Sequence, residues 1–289
     1  MIAVKHIAMT HIGRAGALLC AGWLAAHSDP ALAQRSPLLE NSRVDFAYVA
    51  PSDPYLRPVY ERLKKRQVLE ELRQFLAPLR LPRKLTLKTL QCQTTNAFYN
   101  PREVALNICY EYVDWIERLV PKETTTPLGI TPESVLVGGF VEGVLHETGH
   151  AVIDLLQIPV FGREEDAADQ LAGFIMLQFG KDVARKLLTG TIFLYREQSK
   201  VLPQSNFADV HGTDLQRFYN YACMAYGSDP QTFADLVDTN VLPRTRAENC
   251  AREYQQVKWA FLQAVYPFVD QDLLKIVQAS EWLRPDDGK

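Results

Sequence analysis

The chain has 289 residues, of which 47% are hydrophobic and 22% charged, and its formal net charge is −3. This is an ordinary globular composition, with enough length to bury a sizeable core. The near-neutral charge offers no basic footprint for nucleic acid, and no stretch after the N-terminus has the length and apolarity of a membrane span.

The N-terminal residues have the organisation of a signal peptide. Lys5 and Arg14 supply a positive start, a short apolar stretch follows, and residues 31–33 form a small-x-small cleavage site. The alternative is an uncleaved membrane anchor, for which the apolar stretch is short. We therefore expect residues 1–33 to be removed, and residues 34–289 to form a single exported domain in the periplasm or outside the cell.

Four of the five cysteines remain in this expected mature chain, because Cys20 falls within the signal peptide. An even number of cysteines in an exported chain favours disulfide bonds. Each of two pairs would flank one local unit, so we predict the bonds Cys92–Cys109 and Cys223–Cys250, with buried free thiols as the alternative. None of the four shows C-x-x-C spacing, so a cysteine zinc site is not predicted.

The first predicted elements form a small sheet with two helices. Residues 34–50 lack a sustained period and are predicted to be an extended arm. In chain order we then predict a helix over 54–79, a strand over 84–91, a short extended piece over 96–99, a strand over 104–108, a helix over 110–120 and a loop over 122–129.

The rest of the chain is predicted to be almost wholly helical, which makes the fold class α+β. Thr131 is the expected N-cap and Pro132 the first residue of the next helix, while Gly138 and Gly139 predict a kink or close packing midway. The predicted helices cover residues 131–157, 163–179, 181–190, 192–200, 214–226, 230–237, 245–266 and 271–282.

The helix over 131–157 contains the motif His146-Glu147-x-x-His150. Residues four apart lie on one face of a helix, so both imidazoles can point a ring nitrogen at one metal ion. Glu147 is rotated by about 100° around the axis and lies beside the metal, where its carboxylate can take a proton from water. This arrangement is typical of zinc peptidases.

A less specific interpretation is an amphipathic helix whose two histidines and one glutamate form hydrogen bonds at the surface. Two features favour a metal instead. The flanks of the motif are apolar, so the helix is expected to be buried, and buried polar groups need strong partners. A second helix with an acidic start follows after a short turn, where a third ligand would be needed.

A catalytic zinc takes three protein ligands and leaves one position for water. A third histidine at the extended zincin spacing is excluded, because Leu156 occupies that position. Glu165 and Asp169 lie four residues apart on one face of the second helix. We favour Glu165 as the ligand, with Asp169 orienting one histidine or, failing that, binding zinc itself. The remaining acidic candidates are Glu164 and Asp166, and acids there can also simply stabilise a helix start.

With Glu165-x-x-x-Asp169 after it, the His146-Glu147-x-x-His150 motif resembles the gluzincin metallopeptidases, the superfamily of thermolysin. More closely, the chain resembles a bacterial family of exported metallopeptidases of uncharacterised function. The interval between His150 and Glu165 is shorter than in thermolysin. The resemblance implies a mostly helical zincin-like domain and a zinc cofactor. Its matching stretches are Cys92, residues 96–99, 109–111, 146–171, His211, 216–220 and 223–230.

The resemblance also implies further site residues. Gluzincins bind the substrate backbone along an edge strand, where Asn96 and Ala97 match. A histidine or tyrosine from a later helix steadies the tetrahedral oxyanion, a role open to His211, Tyr219 or Tyr221. A capping or surface role is the alternative for His211, and aromatic packing for the tyrosines.

These observations predict a zinc-dependent endopeptidase acting on peptides or proteins. Two alternatives stay open. One is a non-catalytic zinc or interaction domain in which a fourth protein group, such as Asp169 or His211, closes the metal site. The other is a zinc amidase that acts on cell-wall peptides.

Overall fold

The computed structural model describes residues 43–123, 128–201 and 208–280. The expected signal peptide, most of the arm over 34–50, part of the loop over 122–129 and the last residues of the helix over 271–282 lie outside these ranges. The described chain is mostly helical with one small sheet, so the predicted α+β class is confirmed.

The sheet has four strands in the order β1-β2-β4-β3. β1, β2 and β4 run parallel, and β3 pairs antiparallel with β4 at the edge, with Ala97 opposite Ile108. β1 was missed by the sequence prediction, because its five residues are too few to establish an alternating pattern before they pair with β2. The strands are β1 (Val44–Tyr48), β2 (Leu85–Leu90), β3 (Ala97–Asn100) and β4 (Ala105–Cys109).

The predicted helix over 54–79 is wrong as a single element. It consists of a 3₁₀ turn (Pro54–Leu56), α1 (Arg57–Lys65) and α2 (Val68–Leu76). Gln67, between α1 and α2, adopts a left-handed conformation with φ 52° and ends the first helix. This lets Leu69, Leu72 and Leu76 turn towards the core, where they are buried.

The remaining helices follow the predicted order with two corrections. The segments over 181–190 and 192–200 are one helix, and the predicted helix over 245–266 is broken near residue 249. The helices are α3 (Tyr110–Leu119), α4 (Pro132–Leu156), α5 (Glu164–Met176), α6 (Lys181–Val201), α7 (Asp214–Ser228), α8 (Ala234–Asp238), α9 (Arg244–Ala247), α10 (Cys250–Ala264) and α11 (Gln271–Ala279).

Gly190 was expected to end a helix, but it allows α6 to lie against the start of α4. A Cβ atom on Gly190 would lie 1.8 Å from the carbonyl oxygen of Ser134, and one on Gly138 would lie 2.5 Å from that of Leu187. Neither position has room for a larger residue. The glycine at 138 therefore provides close packing, the second of the two alternatives predicted from the sequence.

α4 is the central helix of the fold. Thr131 caps it as predicted: its hydroxyl accepts from the Ser134 N–H at 3.0 Å, and the Ser134 hydroxyl accepts from the Thr131 N–H at 3.0 Å. The helix packs between α5, α6 and the edge strand β3, and Val144 and Leu145 on it are fully buried. The motif residues are thus held by packing on several sides.

Both predicted disulfide pairs are present. Cys92–Cys109 joins the segment after β2 to the end of β4, and Cys223–Cys250 joins α7 to the start of α10. Within the part of the chain that the structure describes, no helix is long and apolar enough to cross a membrane.

Candidate metal centre

The close approach of α4 and α5 brings the motif to the acidic helix. Gly149 directly precedes His150 on α4, and a Cβ atom there would lie only 2.9 Å from the Cα of Ala168 on α5. Any side chain at 149 would push the helices apart. The missing side chain therefore sets the distance over which Glu165 and Asp169 can reach the histidines.

Three ligand atoms converge between these helices. The Nε2 atoms of His146 and His150 lie 3.2 Å apart, and Oε2 of Glu165 lies 3.1 Å from each of them. Tetrahedral zinc with bonds of about 2.0–2.1 Å places neighbouring ligand atoms roughly 3.3–3.4 Å apart. The donor set and its spacing therefore fit a zinc ion.

The other acids of α5 have different partners. Asp169 Oδ1 lies 2.7 Å from Nδ1 of His146, and Glu164 Oε1 lies 2.8 Å from Nδ1 of His150. Both carboxylates can accept the Nδ1–H and leave Nε2 free to bind a metal. Asp166 instead pairs with Arg163 at 2.8 Å near the surface.

Glu147 lies beside the three ligand atoms. One of its oxygens is 4.0 Å from Nε2 of His146, and the other accepts the backbone N–H of Tyr99 at 2.7 Å. Glu147 is only 9% exposed to solvent. Burial raises the pKa of the Glu147 carboxyl, while the neighbouring imidazoles oppose that rise. A carboxylate held beside the ligand atoms in this way is placed to accept and return a proton.

His211 also reaches the site, from the turn before α7. Its Nε2 lies 2.9 Å from Oε2 of Glu165, and its Nδ1 lies 3.0 Å from Asp209. The bond to Glu165 raises the pKa of His211, against the opposing effect of burial. Tyr221 does not reach the cleft, because its buried hydroxyl donates to Glu142, and Tyr219 packs against Phe218.

These groups open into one cleft of about 890 Å³ beside β3. Asn96 and Ala97 lie along one side, and the Asn96 carbonyl accepts from the backbone N–H of Cys109 on β4. Tyr112 and Trp115 contribute an aromatic wall. β3 is an edge strand of the sheet, and together with the aromatic wall it borders this cleft.

In the metal-free protein, the neighbouring carboxylates shift the pKa values of the two motif histidines. Burial lowers the pKa of His146, but its bonds to Asp169 and Glu165 outweigh this and raise the pKa to about 10. The pKa of His150 is also raised, against burial, by its bonds to Glu165 and Glu164. His146 therefore carries a proton on both ring nitrogens at neutral pH, whereas a ligand imidazole must have a free nitrogen.

We therefore expect zinc binding at about pH 7.5 to release at least one proton, because a metal displaces it from His146. The released fraction should fall as the pH rises towards 10, where the metal-free imidazole already titrates. Calorimetry in buffers of different ionisation enthalpy measures the number of protons released per zinc ion bound. Zinc binding without any buffer dependence would contradict this.

The sequence reading missed the residues behind His146. Arg217 donates from Nε to Asp169 at 2.7 Å and also approaches Glu142, a buried carboxylate one helical turn before His146. The available signal was Glu142 itself, a charged residue in an apolar stretch of helix. It precedes His146 by four residues, the same interval that separates His146 from His150. Arg217 lies within the stretch 216–220 that carries the resemblance, but no role was assigned to it, because it lies far along the chain from the motif.

An α+β domain in which two imidazoles and a carboxylate converge in a cleft defines a candidate metal-dependent hydrolase. The chain belongs to the family described as "Putative metallopeptidase", whose model matches residues 48–263. No curated protein and no solved structure matches the chain. Membership of the family supports a peptidase-like function and implies a bound metal ion and peptide or protein substrates.

Proposed function

We propose that the protein is a zinc-dependent endopeptidase that hydrolyses peptide bonds, with His146, His150 and Glu165 as the zinc ligands. The observation that carries the proposal is the convergence of their three ligand atoms within 3.2 Å of one another, next to Glu147. Family membership supports the peptidase class. Asp169 and Glu164 fix the orientation of the two imidazoles from behind.

When bound, zinc supplies a Lewis acid that activates water and polarises the scissile carbonyl. Glu147 takes the proton of the attacking water and passes it to the leaving amine. The Tyr99 N–H holds the Glu147 carboxylate in one orientation. The substrate lies extended along β3, where Ala97 and the side chain of Asn96 bind its backbone, since the Asn96 carbonyl already pairs with Cys109.

His211 steadies the oxyanion that forms at the attacked carbonyl. Its side chain is 44% exposed to the cleft, and Asp209 holds its ring with Nε2 directed towards the site. The same Nε2 lies 2.9 Å from Oε2 of Glu165, which places this donor beside the three proposed ligand atoms.

Replacing His211 by alanine is expected to lower kcat by roughly 10²–10³-fold with little change in KM, because one oxyanion donor is lost. Steady-state kinetics on a peptide measure this, with Asp209→Asn as a milder companion variant. If His211→Ala loses zinc and the zinc-bound wild type hydrolyses no peptide, His211 is a fourth ligand and the site is a closed, non-catalytic one.

The proposed function is tested by metal analysis of the purified protein together with casein cleavage with and without a chelator. We expect bound zinc, cleavage, its loss on chelation and its recovery on adding zinc. A cell-wall peptide digest run beside the casein digest separates the amidase alternative. Bound zinc with no hydrolysis of either substrate would contradict the proposal.

We further propose that residues 1–33 are a signal peptide and that residues 34–289 act as one exported domain. The two disulfide pairs support an oxidising compartment, either the periplasm or the exterior of the cell. N-terminal sequencing of the exported protein tests this, since a mature chain that begins before residue 34 would contradict it.

A further inference from the structure

Glu142 is a buried carboxylate with no part in the proposed chemistry. It lies on α4, one helical turn before His146, and is 2% exposed. Its Oε1 accepts from the hydroxyl of Tyr195 at 2.8 Å and from the hydroxyl of Tyr221 at 2.7 Å. Burying a charge is costly unless it is paired, so this carboxylate requires an explanation.

Arg217 pairs with Glu142 and connects it to the metal centre. One guanidinium nitrogen lies 3.3 Å from Glu142 Oε1, and Nε donates to Asp169 at 2.7 Å. Asp169 in turn lies 2.7 Å from Nδ1 of His146. A continuous chain of contacts therefore runs from Glu142 through Arg217 and Asp169 to His146.

The geometry fixes this guanidinium tightly. Its central carbon lies 4.4 Å from the ring centroid of Tyr195, so the aromatic ring covers one face while Glu142 and Asp169 hold its edge. These partners come from α4, α5 and α6, and Arg217 itself lies on α7. A guanidinium held by three neighbouring helices has little freedom to rotate, and it transmits its position to Asp169.

The charges of this cluster have a defined balance. Glu142 and Asp169 are negative and Arg217 is positive, which leaves a formal net charge of −1 directly behind His146. Without Glu142, Arg217 would be neutralised by Asp169 alone. It would then draw electron density from the oxygen that accepts from His146, and the cluster would no longer attract a divalent cation.

We propose that Glu142 is a positioning residue of the metal centre: it balances and fixes Arg217, so that Asp169 stays a strong, correctly placed acceptor for His146. This rests on the proposed metal site and deepens it, because it assigns a role in metal affinity to a residue that is not one of the three proposed ligands. A purely structural role would instead tie α4, α6 and α7 together without any influence on the metal.

Zinc affinity of Glu142→Gln separates the two roles. The amide keeps the shape of the side chain and removes its charge. We expect the variant to fold and its Kd for zinc, measured by competition with a chromophoric chelator, to rise by roughly 10–100-fold, the usual effect of losing an outer partner. The visible absorption of the Co²⁺-substituted protein should change as well, because it reports the ligand field at His146.

Asp114→Asn is the matched control. Asp114 is also buried, at 9% exposure, accepts from a tyrosine hydroxyl at 3.1 Å and pairs with Arg118, but it lies on α3 outside the cleft. Its replacement should leave the Kd and the Co²⁺ spectrum unchanged. Asp169→Asn combined with Glu142→Gln should cost less affinity than the two single effects together, because both act through His146.

A folded Glu142→Gln protein with the zinc affinity and Co²⁺ spectrum of the wild type would overturn the proposal. If this variant fails to fold, Tyr195→Phe and Tyr221→Phe decide, since each removes one donor to Glu142: weakened zinc binding supports the role, and unchanged binding overturns it. Failure of the wild type itself to bind a metal would instead overturn the proposed function.

Discussion

Glu147→Gln is expected to lower kcat for peptide hydrolysis by roughly 10²–10⁴-fold while the protein keeps its zinc. The amide cannot accept the proton of the attacking water. Because Glu147 lies beside the ligand atoms, with its nearer oxygen 4.0 Å from Nε2 of His146, its replacement leaves the three ligands in place. Metal content and steady-state rates on the same preparation give both readouts.

Asp154→Asn is the control for this variant. Asp154 lines the same cleft, but it accepts from the Tyr99 hydroxyl at 2.7 Å, whereas Glu147 accepts from the Tyr99 backbone. It should therefore retain hydrolysis. Wild-type rates in the Glu147→Gln protein would remove Glu147 from the mechanism and leave proton transfer to another group.

Glu165→Gln should cost the protein its zinc. The neutral amide is a weak ligand, and two imidazoles alone leave the ion short of a protein ligand. We expect zinc affinity to fall by more than the roughly 10–100-fold that is typical when a group hydrogen-bonded to a ligand is replaced. Hydrolysis should be lost in parallel. Metal content after dialysis and a chelator competition titration measure the effect.

The neighbouring residue provides the matched control. Glu164 also contacts a site histidine, but it reaches Nδ1 of His150 and its side chain is 51% exposed. Glu164→Gln should therefore keep zinc, with a loss of affinity no greater than the roughly 10–100-fold typical of groups that hydrogen-bond to a ligand. If Glu165→Gln keeps zinc and Asp169→Asn loses it, the third ligand is Asp169, the other acid of this helix face.

Several features were predictable because they depend on neighbours along the chain. The spacing of His146 and His150 places both rings on one helix face wherever that helix lies. The Thr131 cap, the order of most helices and the two disulfide pairs follow from equally local patterns. The acids at 165 and 169 were predictable as a pair for the same reason.

Other features depend on contacts between distant segments. Gly190 reads as a helix break in sequence, yet its bare backbone allows α6 to pack on Ser134. β1 becomes a strand through pairing with β2, some forty residues later. The residues around such a position carry no information about these contacts, because the contacting residues lie far away along the chain.

The sequence by itself determined that this protein presents two imidazoles and a carboxylate at helical spacing, since backbone geometry alone fixes the relation of residues four apart. Only the tertiary structure decided which acid faces which nitrogen. That choice depends on the separation of α4 and α5, set where Gly149 meets Ala168, and on Arg217, which reaches Glu142 and Asp169 from a helix distant in sequence.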